Sequence, residues 1–306
     1  MDEQKINKSA IITRIVIWSV VALLLIGVFI TAMIDGNGSF SVGGAFFIRN
    51  ETYENADSYN VGNMTYNEEI KNINIHWTDG KVNFVVREGD KIEIKESGAG
   101  EDEDHKMRSK VTGNTLDIRF VKSGLFLLFG DLPEKELTVY IPPSVAMSLG
   151  IIDISSVSAE VMIGDKNSAG EIAFECDKLN VECVSGDLNI FGMRANELVA
   201  SAVSAKVKYT GEVKKIEVDG VSGEVSLSLA NTPSEIKVDT VSGRIDLTLP
   251  ESEEGFKAEL DALSGQMHLN SNNVGHYCTY GQGKARFTFD TFSGDVVITT
   301  KKVDGQ

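Results

Sequence analysis

From Ile216 to Leu229 the chain reads Ile-Glu-Val-Asp-Gly-Val-Ser-Gly-Glu-Val-Ser-Leu-Ser-Leu. Apolar residues alternate at Ile216 and Val218. After Val221-Ser222-Gly223 they alternate again at Val225, Leu227 and Leu229, with the opposite parity. Alternation with period two marks a strand with one buried face. The parity switch predicts a bend that joins two strands facing one core.

With Val221 as position zero, the same frame returns at Val157-Ser-Ala, Val184-Ser-Gly, Val203-Ser-Ala, Val241-Ser-Gly, Leu263-Ser-Gly and Phe292-Ser-Gly. Positions −5 and −3 run from Ile152/Ile154 to Phe287/Phe289, and positions +4 and +6 from Val161/Ile163 to Val296/Ile298. Position −1 is small or nearly so: Ser156, Cys183, Ala202, Gly220, Thr240, Ala262, Thr291. A degenerate copy precedes these, with Ile73, Ile75, Trp77, Thr78-Asp79-Gly80, Val82 and Phe84. Trp77 there falls on a core position.

One such unit cannot bury its own apolar face, so units must stack, with strands about 4.8 Å apart. The expectation is an all-β, single-stack parallel β-solenoid of about seven to eight rungs over residues 70–302. Its N-terminal part, 70–150, is degenerate and 151–300 is regular. Further strands are expected at 91–95, 115–121 and 136–141, and the longest loops at 164–170 and 270–284. Ser at +1 can hydrogen-bond along the stack. Ala159 and Ala205 replace the Gly at +2, which suggests that small size matters there more than positive φ.

Ile15 to Ile34 carries no charge over twenty residues. That is long enough to cross the hydrocarbon of a bilayer as a helix, roughly 30 Å. It exceeds a signal-peptide core, and Thr31-Ala32-Met33 makes a poor cleavage site. Lys5, Lys8 and Arg14 precede it and acidic residues follow. The expected topology is a cytoplasmic tail (1–14), a single transmembrane helix (15–34), a flexible linker (35–69) and an extracellular C-terminal domain at the plasma membrane. Phe46-Phe47-Ile48 in the linker could touch the bilayer or the domain.

The net charge of −16 argues against nucleic-acid binding. Three cysteines, Cys176, Cys183 and Cys278, are too few for a disulfide framework. Cys183 sits at the small corner position and reads as a buried thiol, the alternative being a disulfide with Cys176. No nucleotide-binding, zincin or nucleophile-elbow motif is present, and no cofactor is implied.

Position −2 points outward, and in the last four copies it is Asp219, Asp239, Asp261 and Asp290. Stacking makes these a like-charge column, a weak candidate for divalent cations. The competing reading is that each Asp accepts hydrogen bonds from its own turn amides. Arg244 and Lys206 at +3 lie near the column, as in scaffolds that act on polysaccharides. The recurrence of the acid in rung after rung, however, reads as a repeat constraint, so no catalytic residue is assigned. Leu125, Phe126, Leu127, Leu128 and Phe129, between glycines, are either a buried strand or cap over the open end of the stack, or an exposed partner or membrane contact.

The V-S-G frame, the stretch Leu137-Thr-Val-Tyr-Ile-Pro-Pro143 and the N-terminal apolar run together resemble the bacterial putative-adhesin family, which includes LiaG-like envelope proteins. The resemblance covers about residues 70–300. It implies a membrane-tethered extracytoplasmic β-repeat domain without catalytic residues. The function expected is a non-enzymatic binding or scaffold module, with a cell-wall or surface ligand or a membrane protein as partner. The alternative is an accessory part of envelope-stress signalling, and a third reading is a polysaccharide-acting enzyme.

Overall fold

The computed structural model describes residues 53–124, 134–167 and 171–302. Its N-terminal strands are β1 (Asn60–Val61), β2 (Met64–Tyr66), β3 (Asn72–Trp77), β4 (Lys81–Val86), β5 (Ile92–Ser97), β6 (Arg108–Thr112), β7 (Thr115–Arg119) and β8 (Glu136–Ile141). One helical turn, Pro143–Ala146, follows. Then come β9 (Leu149–Ser156), β10 (Glu160–Ile163), β11 (Phe174–Ser185), β12 (Leu188–Ser204), β13 (Val207–Leu229) and β14 (Glu235–Pro250). The last are β15 (Phe256–Ser264), β16 (Met267–Leu269), β17 (Asn272–Gly275), β18 (Tyr277–Tyr280), β19 (Ala285–Ser293) and β20 (Val296–Lys301). Strands expected near 91–95, 115–121 and 136–141 are present as β5, β7 and β8.

Each bend divides a unit into a strand before the corner and a strand after it, and each kind forms its own parallel column. The first column runs β7, β3, β9, β11, β12, β13, β14, β19, β15. The second runs β8, β4, β10, β12, β13 and, further along, β13, β14, β20, β16. Both columns face one core. Every residue at −5, −3, +4 and +6 in the seven copies is buried, except Leu269, which packs half-buried against the same cluster. Trp77 is in that core, as expected, edge-on to Phe120 with ring centroids 5.0 Å apart.

The single-stack parallel solenoid does not hold. The sheet is mixed and wraps the core like a barrel. Antiparallel strands close the column ends: β6 on β7 and β5 on β8 at one, β18 on β15 and β17 on β16 at the other. The order of rungs also departs from chain order. β3 lies between β7 and β9, and β19 lies between β14 and β15.

The physical reason is twofold. An open parallel column leaves rows of unpaired N–H and C=O groups at its ends, and antiparallel strands cover them. The units also present the same inward pattern, so burial alone does not choose neighbours. Residues 272–280, expected as part of a loop, instead form β17 and β18. That excursion covers the free edge of β15 and leaves the edge of β14 to β19.

The folded unit extends N-terminally of residue 70. β1 and β2 pair with β6 and β5, and the Tyr53 hydroxyl donates to the Val121 carbonyl at 3.1 Å. The expected membrane helix, 15–34, and the apolar run Leu125–Phe129 lie outside the described residues. Among the described residues, no helix is long and apolar enough to cross a membrane.

Candidate functional site

The seven corners lie one above another. Ala202 is paired with Gly220, Gly220 with Thr240, Thr240 with Thr291 and Thr291 with Ala262. Ser204, Ser222, Ser242, Ser293 and Ser264 follow the same order two positions on. The residue between the two paired positions, position zero, takes no part in the ladder, and there the parity changes.

The expected hydrogen bonds along the stack are present. Ser185 donates its amide and its hydroxyl to the Val157 carbonyl of the neighbouring rung, at 2.7 and 3.4 Å. The Ser222 hydroxyl donates to the Val203 carbonyl at 3.4 Å. At +2, Gly186, Gly223, Gly243 and Gly265 adopt positive φ, 152° and 148° at Gly223 and Gly243, whereas Gly294, like Ala159 and Ala205, does not. A Cβ on Gly243 would also lie 2.0 Å from the Gly223 carbonyl oxygen. Size and backbone conformation therefore both constrain that position.

Position zero itself is a finding that sequence reasoning missed. Val203, Val221, Val241, Phe292 and Leu263 form an outward ridge across five adjacent strands, each between 44% and 50% exposed. The available signal was that position zero is large and apolar in every copy, although −5, −3, +4 and +6 already furnish the core.

Two positions before the ridge stands the aspartate column, and the structure does bring its four members together. Their order is Asp219, Asp239, Asp290, Asp261, because β19 is inserted ahead of β15. Lys237 Nζ bridges Asp239 Oδ2 at 2.6 Å and Glu217 Oε1 at 3.4 Å. Partial burial, and then the neighbouring Asp239 carboxylate, push the Asp219 and Asp290 carboxyls above the usual carboxylate range. Among the described residues, no three His, Cys, Asp or Glu side chains are placed to hold a metal ion.

Of the candidate cations at +3, Arg244 is engaged by Asp246, its Nε donating to both carboxylate oxygens at 2.9 and 2.7 Å, while the backbone N–H of Lys206 donates to Asp187. Beyond the ridge, a depression of about 410 Å³ is lined by Arg244, Ser264, Gly265, Ser293, Gly294 and Asp295 among others. Backbone and small polar groups dominate it, unlike the mostly apolar pockets that take small ligands.

A second cluster, also unforeseen, sits at the N-terminal end. Lys135 Nζ is wholly buried, 2.7 Å from Glu96 Oε2 and 2.8 Å from the His105 carbonyl, with the Phe120 carbonyl as a further acceptor. The ammonium lies 4.5 Å from the Phe120 ring centroid and 5.0 Å from that of Trp77. Nothing in the sequence around Lys135 distinguishes it from a surface lysine, since its partners come from 15 to 39 residues away.

The chain is similar to a putative cell adhesion protein from Clostridium sporogenes ATCC 15579, at 15% identity and TM-score 0.40, covering 79% of this chain and 100% of that one. It is similar to a putative adhesin from Bacteroides fragilis NCTC 9343, at 15% identity and TM-score 0.45, over 79% and 97% of the two chains. A putative adhesin from Parabacteroides merdae ATCC 43184 gives 12% identity and TM-score 0.41, over 80% and 97%. Among curated proteins, none matches the sequence. The Toastrack DUF4097 family matches residues 70–299, which contain both strand columns and all seven corners. The chain belongs to the Toastrack DUF4097 family.

Proposed function

We propose that the folded domain is a non-catalytic binding module displayed outside a membrane on the N-terminal segment. The observation that carries this reading is the linear repetition of its outer surface. Rung after rung offers the same apolar corner and, over four strands, the same aspartate. Catalysis needs different groups converging on one reacting centre. A repeated stripe suits extended contact with another macromolecule. The uncharged run from Ile15 to Ile34, with its basic flank, supplies the tether in this reading.

The test is retention of residues 50–306 on cell-wall and membrane-envelope preparations. This fragment contains the whole described core, from Tyr66 to Ile298, and forms a compact unit by itself. Retention that survives washing is the expected result. No retention, together with turnover of acidic glycans, would replace the binding role with an enzymatic one. Protease accessibility of the domain in intact cells producing the full chain tests the topology.

A further inference from the structure

The corner ridge is an apolar strip that the fold itself does not use. Its five side chains point away from a core that the inward rows already fill. Contiguous exposed apolar surface on the order of a few hundred Å² marks interaction sites in soluble proteins. Phe292, the largest of the five, stands fourth in the row between Val241 and Leu263, and aromatic side chains are among the residues that most often dominate contact energetics.

One flank of the ridge is strongly acidic. Over the four strands from β13 to β15, positions −2 and −4 hold Asp219, Asp239, Asp290, Asp261, Glu217 and Glu259, against a single cation, Lys237. Burial and mutual repulsion already hold Asp219 and Asp290 away from easy ionisation. An incoming positive charge would relieve that repulsion, whereas an anionic lipid surface would add to it.

A second copy of this chain is disfavoured for the same reason. It would set aspartates against aspartates in a molecule of net charge −16.

Spacing narrows the occupant further. Strands about 4.8 Å apart place the five corner side chains over about 19 Å. An α-helix laid along the ridge repeats every 5.4 Å or so, and stays within about half a turn of the corners over that length. An extended strand shows its same-face side chains about 6.7 Å apart and loses phase within two corners.

We propose that the ridge docks a cationic amphipathic helix of a partner protein, its apolar stripe on Val203, Val221, Val241, Phe292 and Leu263 and its Lys or Arg residues over the aspartate ladder. The proposal rests on the binding role above and names the class of partner.

The probe is a synthetic helical peptide of about 18 residues with a leucine stripe flanked by lysines. A twin carries glutamate in place of each lysine. Both are titrated by fluorescence anisotropy against the 50–306 unit and against the full chain in detergent. The lysine peptide is expected to bind and to weaken steeply with salt, while the twin does not bind. Phe292→Ser with Val241→Ser, and separately Asp239→Asn with Asp290→Asn, should each weaken binding by about tenfold or more. Phe292, Val241 and Asp290 are exposed and Asp239 is half-buried beside Lys237, and none of the four belongs to the core, so unchanged far-UV spectra are expected.

Equal binding by the twin, undiminished binding by both variants, or no binding of the lysine peptide at low salt overturns the proposal. So does a concentration-dependent dimer abolished by Val241→Lys, which would put a second copy on the ridge. If the ridge variants stay on envelope material as firmly as wild type, the ridge proposal fails and the binding role stands. If wild type is not retained at all, the binding role fails.

Discussion

Lys135 and Glu96 meet at 2.7 Å in the interior of the domain, and the ammonium is closed off from solvent by Trp77 and Phe120. Removing one partner leaves an uncompensated buried charge. Lys135→Ala is expected to cost about 3–5 kcal/mol in urea unfolding of the 50–306 unit. Replacing both residues, as in Lys135→Met with Glu96→Leu, should recover most of that loss, because two apolar side chains need no counter-charge. Equal losses in the single and double variants would show that the pair is not a coupled unit.

The aspartate ladder makes the pH response unusual. Asp219 and Asp290 hold their protons more tightly folded than unfolded, chiefly through partial burial and then through Asp239. The stability gained from protonating them is present below the unfolded value and is lost as pH rises through the raised folded value. Glu93 and Asp104 act in the opposite sense. Hydrogen bonds from Arg87 and Lys122 lower their values, and what they contribute is lost as pH falls through those lowered values. The melting temperature should therefore peak on the acid side of neutral. Asp290→Asn should raise it at neutral pH by about 1–3 °C and flatten the rise. A melting profile for Asp290→Asn parallel to wild type from neutral to mildly acid pH would contradict this.

At the corners, conformation and space act together. Gly243 has φ of 148°, and a Cβ there would press on the Gly223 carbonyl at 2.0 Å. Gly89 has φ of 152° with nothing within 4 Å of a Cβ. Gly89→Ala therefore isolates the backbone strain, about 1–3 kcal/mol, and Gly243→Ala adds displacement of the adjacent rung. The second substitution should lower the urea midpoint distinctly more than the first.

The three thiols are free and buried. Burial pushes Cys176 up to about 12 and Cys183 to about 11, and raises Cys278 as well. A thiol held protonated is a poor nucleophile. Native protein at neutral pH should react slowly with a disulfide reagent, and urea-unfolded protein should release three equivalents. One equivalent in urea would indicate a disulfide.

The local grammar of this fold was open to reading in the sequence. Alternation at Ile216/Val218 and Val225/Leu227 required two strands facing one core, and the Ser and Gly after Val221 are corner residues as expected. The four aspartates were legible as a column, since equal offsets in equivalent units must align. What escaped was the choice of neighbours. Phe287/Phe289 and Ala258/Leu260 satisfy the same inward pattern, and only the excursion through β17 and β18 settles which of the two pairs lies beside Ile236/Val238. Lys135 escaped for another reason, because its burial is created by Trp77 on β3 and Phe120 just past β7, which arrive from separate parts of the chain.

The position of β19 and β20 makes a sharp prediction about truncation. In a stack built in chain order, removing the last unit trims one end. Here residues 285–301 lie between β14 on one side and β15 and β16 on the other. A chain ending at residue 284 should lose cooperative unfolding and expose dye-binding apolar surface. A transition merely shifted downward in temperature would argue against the inserted arrangement.

The same placement has a consequence for how the molecule is made. A ribosome delivers β14 and β15 well before β19, so each waits with an open strand edge and an uncovered row of side chains. Such edges recruit strands from other nascent chains. The domain can close only after Ile298 has left the exit tunnel, so its last segment acts as the key that commits the whole chain to its final shape.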